Sequence, residues 1–424
     1  MTTEQPGTTT ASPMRIRLAL LALAMGGFGI GATEFVAMGL LPDMAADLLP
    51  GLSATSTEAA NAAAGWIISA YALGVVVGAP TIAAAAARWP RKRLLLALLA
   101  AFSLGTIASA LLPTFELVVA ARFAAALPHG AYFGIASLVA AGLMGPGKRA
   151  RGVALVLSGL TIANVVGVPA ITWLGQQAGW RVAYLAVAGI FVVTFLAVAA
   201  AVPHQPGDPA ATIGRELRIF TRAQAWFALA IGAIGFGGLF AVYSYVAPLA
   251  TEVTGLPAGA VPLVLVVFGL GMTIGNLVGG RLADWSVRRS MYLFFGILAG
   301  ALLFLVVAAA HPVGLGVGVF LVGAAAAALS PTIQARLLDV ARDSQSIAAA
   351  LNHSALNIGN SLGAILGGLV IAGGLGYVAP VWVGLLLTIA GSALAVGTFA
   401  LDRARRRRGI PLPSVTGAIG AVGD

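Results

Sequence analysis

GWIISAYALGVVVGAPTIAAAAARWPRKR, residues 65–93, joins an uncharged stretch (65–87) to a basic cluster, Arg88, Arg91, Lys92 and Arg93. A helix rises about 1.5 Å per residue, so roughly 20 apolar residues cross a hydrocarbon layer of about 30 Å. The uncharged part is long enough to do so, and the basic cluster then marks the point where the chain re-enters water. Gly74, Gly78 and Pro80 fit the same reading, because small residues let membrane helices approach closely and proline is tolerated there.

The same unit recurs along all 424 residues. Spans are expected near 17–42, 65–87, 94–112, 117–144, 152–176, 182–202, 225–250, 260–283, 290–310, 313–335, 346–373 and 378–401. The fourth and fifth are separated only by the turn at 145–149. The eleventh holds several glycines, and a break or bend is expected there. Composition agrees, with 59% hydrophobic and 9% charged residues, against about 25% charged in a soluble domain. The first span is too long for the apolar core of a signal peptide and is read as a helix. The fold class is therefore an all-α membrane protein with twelve transmembrane helices.

Charge placement sets the orientation. Of the 24 basic residues, all but Arg122 and Arg181 fall on one side of this alternation, whereas Asp43, Asp47, Glu58, Glu116 and Glu252 lie on the other. Basic residues collect on the cytoplasmic side, so both termini are expected in the cytoplasm and the chain in the cytoplasmic membrane. The net charge of +10 is thus read as topology, with no nucleic-acid partner.

An internal repeat supports the count of twelve. A shift of 197 residues brings Gly74 onto Gly271, Gly78 onto Gly275, Arg91 onto Arg288 and Lys92 onto Arg289; a shift of 196 brings Asn164 onto Asn360 and Gly167 onto Gly363. The chain divides into a tail (1–14), a six-helix half (15–202), a linker (203–224), a second six-helix half (225–402) and a basic tail (403–424). Two related halves around a midplane site suit rocking alternating access.

Several stretches now carry a resemblance. GNLVGGRLADWSVRRS (275–290) resembles the loop signature between helices eight and nine of the major facilitator superfamily, and GAPTIAAAAARWPRKR (78–93) is its first-half counterpart. GLTIANVVGVPAITWLGQQAGWR (159–181) is similar to the helix-five signature of drug:proton antiporters. GATEFVAMGLLPDMAADL (31–48) and ARFAAALPHGAYFG (121–134) resemble the helix-one and helix-four motifs of the twelve-helix branch. Together they are similar to the arabinose-efflux and chloramphenicol-efflux-like members. The resemblance implies a gating contact at Gly159, Asn164, Gly167 and Pro169, with packing as the alternative. It also implies a structural loop at Gly280, Arg281 and Asp284. The first half has Ala83 and Ala87 where the loop pattern has glycine and aspartate, which leaves Arg91, Lys92 and Arg93 as topology anchors.

Ionisable side chains inside a membrane are costly, about 2.5–3.5 kcal/mol at a helix centre on insertion scales. Glu34 and Arg122 each lie within a span, roughly 12 Å and 9 Å from its outer end. Loss of water favours the neutral carboxylic acid, and a nearby guanidinium favours the carboxylate. Alternation between such environments would load and release a proton at Glu34, with Arg122 modulating it; a fixed ion pair is the other reading. His129 shares a helix face with Arg122 and either relays the proton or bonds a carbonyl beside Pro128. His353 and Asn357 share a face at i, i+4 and serve substrate binding or helix–helix bonding. Tyr132, Phe133, Tyr243 and Tyr245, with Tyr71 and Trp173, are candidate cavity walls or packing aromatics, and Asn164 is a further cavity candidate.

The chain has no cysteine and no glycine-rich phosphate loop, so no enzyme activity, metal or cofactor is expected beyond the proton as coupling ion. The expected function is a monomeric, proton-coupled antiporter exporting a small neutral or amphiphilic compound, such as a chloramphenicol-like drug, a sugar or a nucleoside. A sugar or nucleoside symporter or uniporter is the alternative. The partners are the substrate, the bilayer and protons.

Overall fold

The computed structural model describes residues 12–86, 88–145, 148–207, 223–341 and 345–407. Most of both tails, the linker at 208–222 with Arg215, Arg218 and Arg222, and Ala87 and Arg342 lie outside the described residues. Among the described residues every regular element is helical.

Ten helices cross once: α1 (Pro13–Gly39), α2 (Thr57–Ile82), α3 (Arg91–Leu111), α4 (Phe115–Met144), α5 (Arg151–Ala178), α6 (Trp180–Ala201), α7 (Gln224–Tyr243), then α10 (Pro312–Leu337), α11 (Leu351–Ala372) and α12 (Ala379–Leu401). Between α7 and α10 the helix Val261–Ala308 runs for 48 residues, about 72 Å at the helical rise and more than twice the hydrocarbon thickness. It is broken at Ser286, whose backbone is extended (φ −164°, ψ 104°). The break separates α8 (261–285) from α9 (287–308) and gives twelve crossings. Ser286 Oγ accepts from the Arg289 N–H (3.3 Å), and Ser290 Oγ donates to the Leu282 carbonyl (2.6 Å) across the bend.

An even number of crossings puts α1's start and α12's end on one face, here the terminal face; the other is the far face. Exposed tryptophans mark both borders: Trp89, Trp226 and Trp285 toward the terminal face, and Trp66, Trp173 and Trp382 toward the far face. Indole rings favour this membrane–water boundary. Between the belts Leu104, Leu196, Leu386 and Ile389 project outward, where lipid replaces water.

Glycine contacts repeat between the halves. Gly74 meets the Phe123 carbonyl and Gly78 the Leu127 carbonyl, so α2 lies backbone to backbone on α4. Gly271 meets the Phe320 carbonyl and Gly275 the Ala324 carbonyl, joining α8 to α10 in the same way. All four positions of the first set map onto the second by the 197-residue shift. The periodicity therefore reflects one packing device used twice.

Three details depart from the expected spans. The seventh ends at Tyr243 and resumes at Val246, because Pro248 has no N–H for the Ser244 carbonyl and its ring crowds that oxygen. The eleventh is one helix without a break; Gly359, Gly363 and Gly367 face Ala233, Ala241 and Tyr245, and their smallness serves close packing. Arg91 and Lys92 are more than topology anchors. Lys92 Nζ donates to the Ala199 carbonyl (2.6 Å), and the Arg91 N–H donates to the Gln205 carbonyl (3.0 Å), so this loop caps α6 and fastens the start of the linker.

Arg181, an exception to the one-sided charge pattern, is accounted for on the far face. It pairs with Asp47 (3.0 Å), donates to the carbonyls of Ala110 and Leu112, and lies 4.2 Å over the Trp180 ring. This ties α3, α6 and the segment after α1 together.

The glycine contacts predict opposite results within one signature. Gly275→Ala drives a methyl into the Ala324 carbonyl and is expected to destabilise by about 1–3 kcal/mol. Gly280→Ala meets nothing within 4 Å and is expected to be neutral or up to about 1 kcal/mol stabilising. Thermal unfolding of the detergent-purified variants checks both.

Candidate functional site

The site grows from two neighbouring residues of α1, Thr33 and Glu34. Successive helical residues diverge by about 100°, so the two side chains reach different neighbours. Thr33 faces α4. The fully buried Arg122 donates from Nη1 to Thr33 Oγ1 (3.0 Å) and from Nη2 to the Thr33 carbonyl (2.8 Å). Its guanidinium lies 4.2 Å over the Tyr71 ring and 5.3 Å from that of Tyr184. Two oxygen acceptors and two aromatic faces thus replace water around this cation. Arg122 Nε is without a hydrogen-bond partner.

Glu34, also buried, divides its carboxylate oxygens. Oε2 lies 4.0 Å from His129 Nδ1 on α4, and Oε1 accepts from Asn360 Nδ2 on α11 at 3.5 Å. Arg122 acts on Glu34 electrostatically, but no Glu34–Arg122 ion pair forms within 4.0 Å. The fixed-pair reading is therefore replaced by a looser arrangement in which Thr33 occupies the fork that would have gripped the carboxylate.

His129 connects Glu34 to the second half. Its Nδ1 is 3.4 Å from the Tyr71 hydroxyl, and its ring lies 5.4 Å from Phe133 and 5.7 Å from His353. Phe133 and His353 stack nearly parallel (5.1 Å, 3°) across the two halves. Asn357 donates from Nδ2 to the His353 carbonyl (3.0 Å). His353, Asn357 and Asn360 occupy one stripe of α11 at i, i+4 and i+7. The side-chain oxygens of Asn352, Ser354, Asn357 and Asn360 are buried without partners, each a cost of about 1–3 kcal/mol in this arrangement. Tyr243 stands above Glu34, with its ring 4.4 Å from Phe268 and 5.6 Å from Phe35 and its hydroxyl unpartnered.

Toward the far face the halves are fastened together. Asn61 Nδ2 donates to the Tyr377 hydroxyl (2.8 Å), Gln176 Nε2 donates to the Ala258 carbonyl (2.9 Å), and the Gly368 backbone lies against the Ala62 carbonyl. Burial raises the Tyr377 phenol above its ordinary range, which keeps it neutral as Asn61's acceptor. Tyr245 belongs to this closure: its hydroxyl donates to the Ala364 carbonyl (2.6 Å) and touches Gly65.

The remaining expected residues fall elsewhere. Tyr132 donates to the Leu23 carbonyl (3.0 Å) and packs on Gly26 within the first half's core, with its ring 6.2 Å from that of Phe133 at the edge of the cluster. The helix-five motif sits at the interface. Ala163–Gly167 forms a π turn just before Pro169, whose missing N–H relaxes the regular ladder. Gly159 lies on the Ala24 carbonyl of α1, Gly167 on the Phe28 ring, and the Asn164 carbonyl on Gly269 of α8. Packing within a half and contact between halves are thus both present. Gly280 lies in open space, Arg281 donates back to the Leu277 carbonyl (3.4 Å), and Asp284 is exposed.

Sequence reading missed Asn360 and Thr33 as site residues. Asn360 had a signal in its i+7 spacing from His353 and its match to Asn164. Thr33 had none, since which residue of α1 turns its hydroxyl and carbonyl to Arg122 depends on helix rotation. Among the described residues no group of three or more His, Asp or Glu is placed to hold a metal.

Comparison with known proteins agrees with this architecture. The family model described as Major Facilitator Superfamily matches residues 23–308 and 229–421. The chain is 38% identical over 364 residues to the inner membrane transport protein YdhP of Escherichia coli K12, covering 86% of this chain and 91% of that protein. It is 34% identical over 383 residues to a chloramphenicol resistance protein of Streptomyces lividans, covering 88% and 94%. A crystal structure of a D-xylose-proton symporter shares the fold with TM-score 0.71 at 14% identity, covering 90% of this chain and 97% of that one. The chain is a multi-pass membrane transporter, not an enzyme, and belongs to the Major Facilitator Superfamily.

Proposed function

We propose that this transporter is a proton-coupled antiporter that exports a small neutral or amphiphilic compound across the cytoplasmic membrane, with its terminal face in the cytoplasm. The observation that carries this reading is the Glu34 carboxyl, buried at the boundary of the two halves with one oxygen directed to each. A single ionisable carboxyl out of water can hold a proton in one conformation and lose it in another when the surrounding charge and hydration change. Arg122 supplies a constant positive field while remaining bound to Thr33. His129, next to the carboxylate, is placed to pass the proton.

The chemistry of the surroundings supports the substrate class. The cluster presents aromatic faces and amide groups, with few fixed charges beyond Glu34 and Arg122. A polyanion would call for several Arg or Lys side chains. The relative named as a chloramphenicol resistance protein supports export of a drug-like compound. In this reading, fastening on the far face leaves the terminal face as the route of entry, and rocking of the halves would reverse access. One proton moving inward down 100 mV supplies about 2.3 kcal/mol, enough for roughly a 50-fold gradient of a neutral solute.

Two outcomes are expected. Glu34→Gln should abolish uphill transport in inverted vesicles with an imposed pH gradient. It should also remove any drug resistance the chain confers on a pump-deleted host; retained accumulation under the gradient would rule out Glu34 as the proton site. Arg122→Lys replaces a planar fork by a point charge that cannot bond both Thr33 oxygens in the same geometry. It is expected to lower the transport rate about tenfold or more at unchanged expression, measured in the same vesicles.

A further inference from the structure

Glu34's two oxygens face different halves of the molecule. Oε2 faces His129 of α4, in its own half, whereas Oε1 faces Asn360 of α11, in the other. Asn360 is buried (1% exposed) on a continuous helix, and its Oδ1 has no partner. Its amide orientation follows from the acceptor it meets, since a carboxylate oxygen requires a donor and only Nδ2 supplies one.

A primary amide can serve either ionisation state of a carboxyl. Opposite a carboxylate it donates through Nδ2. Opposite a carboxylic acid it can turn and accept the acid's O–H at Oδ1, the atom left unsatisfied here. The two bonds differ in strength, because a bond to an ionised acceptor is roughly twice as strong as a neutral one. The loss or gain of a proton at Glu34 therefore changes how firmly α11 is held at mid-depth.

The other ionisable groups facing Glu34 are Arg122 and His129 from α4, Tyr71 from α2 and Tyr243 from α7, with Tyr184 of α6 beyond Arg122 and His353 of α11 beyond His129. Arg122, His129, Tyr71 and Tyr184 belong to the same half as Glu34. His353 reaches the cluster through Phe133 and His129. Asn360 bonds the carboxyl across the halves. Its repeat partner Asn164 lies on the π turn with its backbone carbonyl against Gly269.

We propose that Asn360 is a positioning residue through which α11 senses whether Glu34 carries a proton, and that it links proton binding to movement of the two halves. This rests on the reading of Glu34 as the proton site.

The absence of cysteine makes a direct test clean. Leu52→Cys and Leu375→Cys place one label on each half near the far face, both at exposed positions. Distances between spin labels at these sites, in the full-length protein in liposomes, are followed from about pH 5 to pH 9, a range bracketing buried carboxyl titration. The parent pair is expected to change its ratio of short to long distances about tenfold across the range. Asn360→Ala should change it less than about twofold, and Asn360→Gln, which keeps the amide, should restore most of the response. A response in Asn360→Ala with the parent midpoint and amplitude, while Glu34→Gln is flat, would overturn the role of Asn360 and leave Glu34 standing. A parent-like response in Glu34→Gln would overturn both.

Discussion

A guanidinium fully buried in a membrane protein must find in its neighbours what it gave up in water. Arg122 does so by gripping the Thr33 hydroxyl and carbonyl and lying between the rings of Tyr71 and Tyr184. That single requirement fixes α1, α2, α4 and α6 around one point. Glu34 lies beside a full positive charge because it follows Thr33 in sequence, yet its side chain projects about 100° away. It meets His129 and Asn360 instead of the guanidinium. The carboxyl is thus held near a cation without being locked to it, a condition compatible with reversible protonation.

The helices can meet so closely because of glycine. Gly74 and Gly78 on α2, and Gly271 and Gly275 on α8, bring backbones into contact at equivalent places in the two halves. Without a hydrophobic force between helices in lipid, dense packing of this kind is a main source of cohesion. Gly359 and Gly363 do the same for α11 against α7. A helix packed this tightly moves as a rigid body, so a change at one of its polar residues can be felt along its length. The unpartnered amide oxygens of Asn352, Asn357 and Asn360 lie on this helix, and their cost in the described arrangement lowers the work of leaving it.

Much of this was legible in the residues, but unevenly. Span number and the repeat rest on hydropathy and spacing, which depend on the bilayer's thickness and on small residues recurring at fixed intervals. Arg122 and Glu34 stood out because charge in an apolar run is rare. Depth along two helices left open whether Glu34 and Arg122 form a fixed pair, because it says nothing about rotation about their axes. Tyr132 bonds Leu23 and packs on Gly26 while its ring still meets Phe133, a division between packing and cavity wall that only helix rotation decides. A break in α11 is absent for a related reason: glycine permits both an interruption and close approach, and only a neighbouring helix decides between them.

Twelve membrane crossings, two related halves, and a carboxyl and a guanidinium inside the membrane are all readable from the residues in order. These follow from one-dimensional quantities: the length of apolar runs, the alternation of charge and the period of glycine. Tertiary structure decided which groups meet. Thr33 takes the guanidinium, His129 and Asn360 share the carboxyl, and Asn61 meets Tyr377 across the far face. The residues of the Asn360–Glu34 contact are separated by 326 positions. Such a contact is set by helix rotation and by the docking of one half on the other, and those are products of packing that no local pattern encodes.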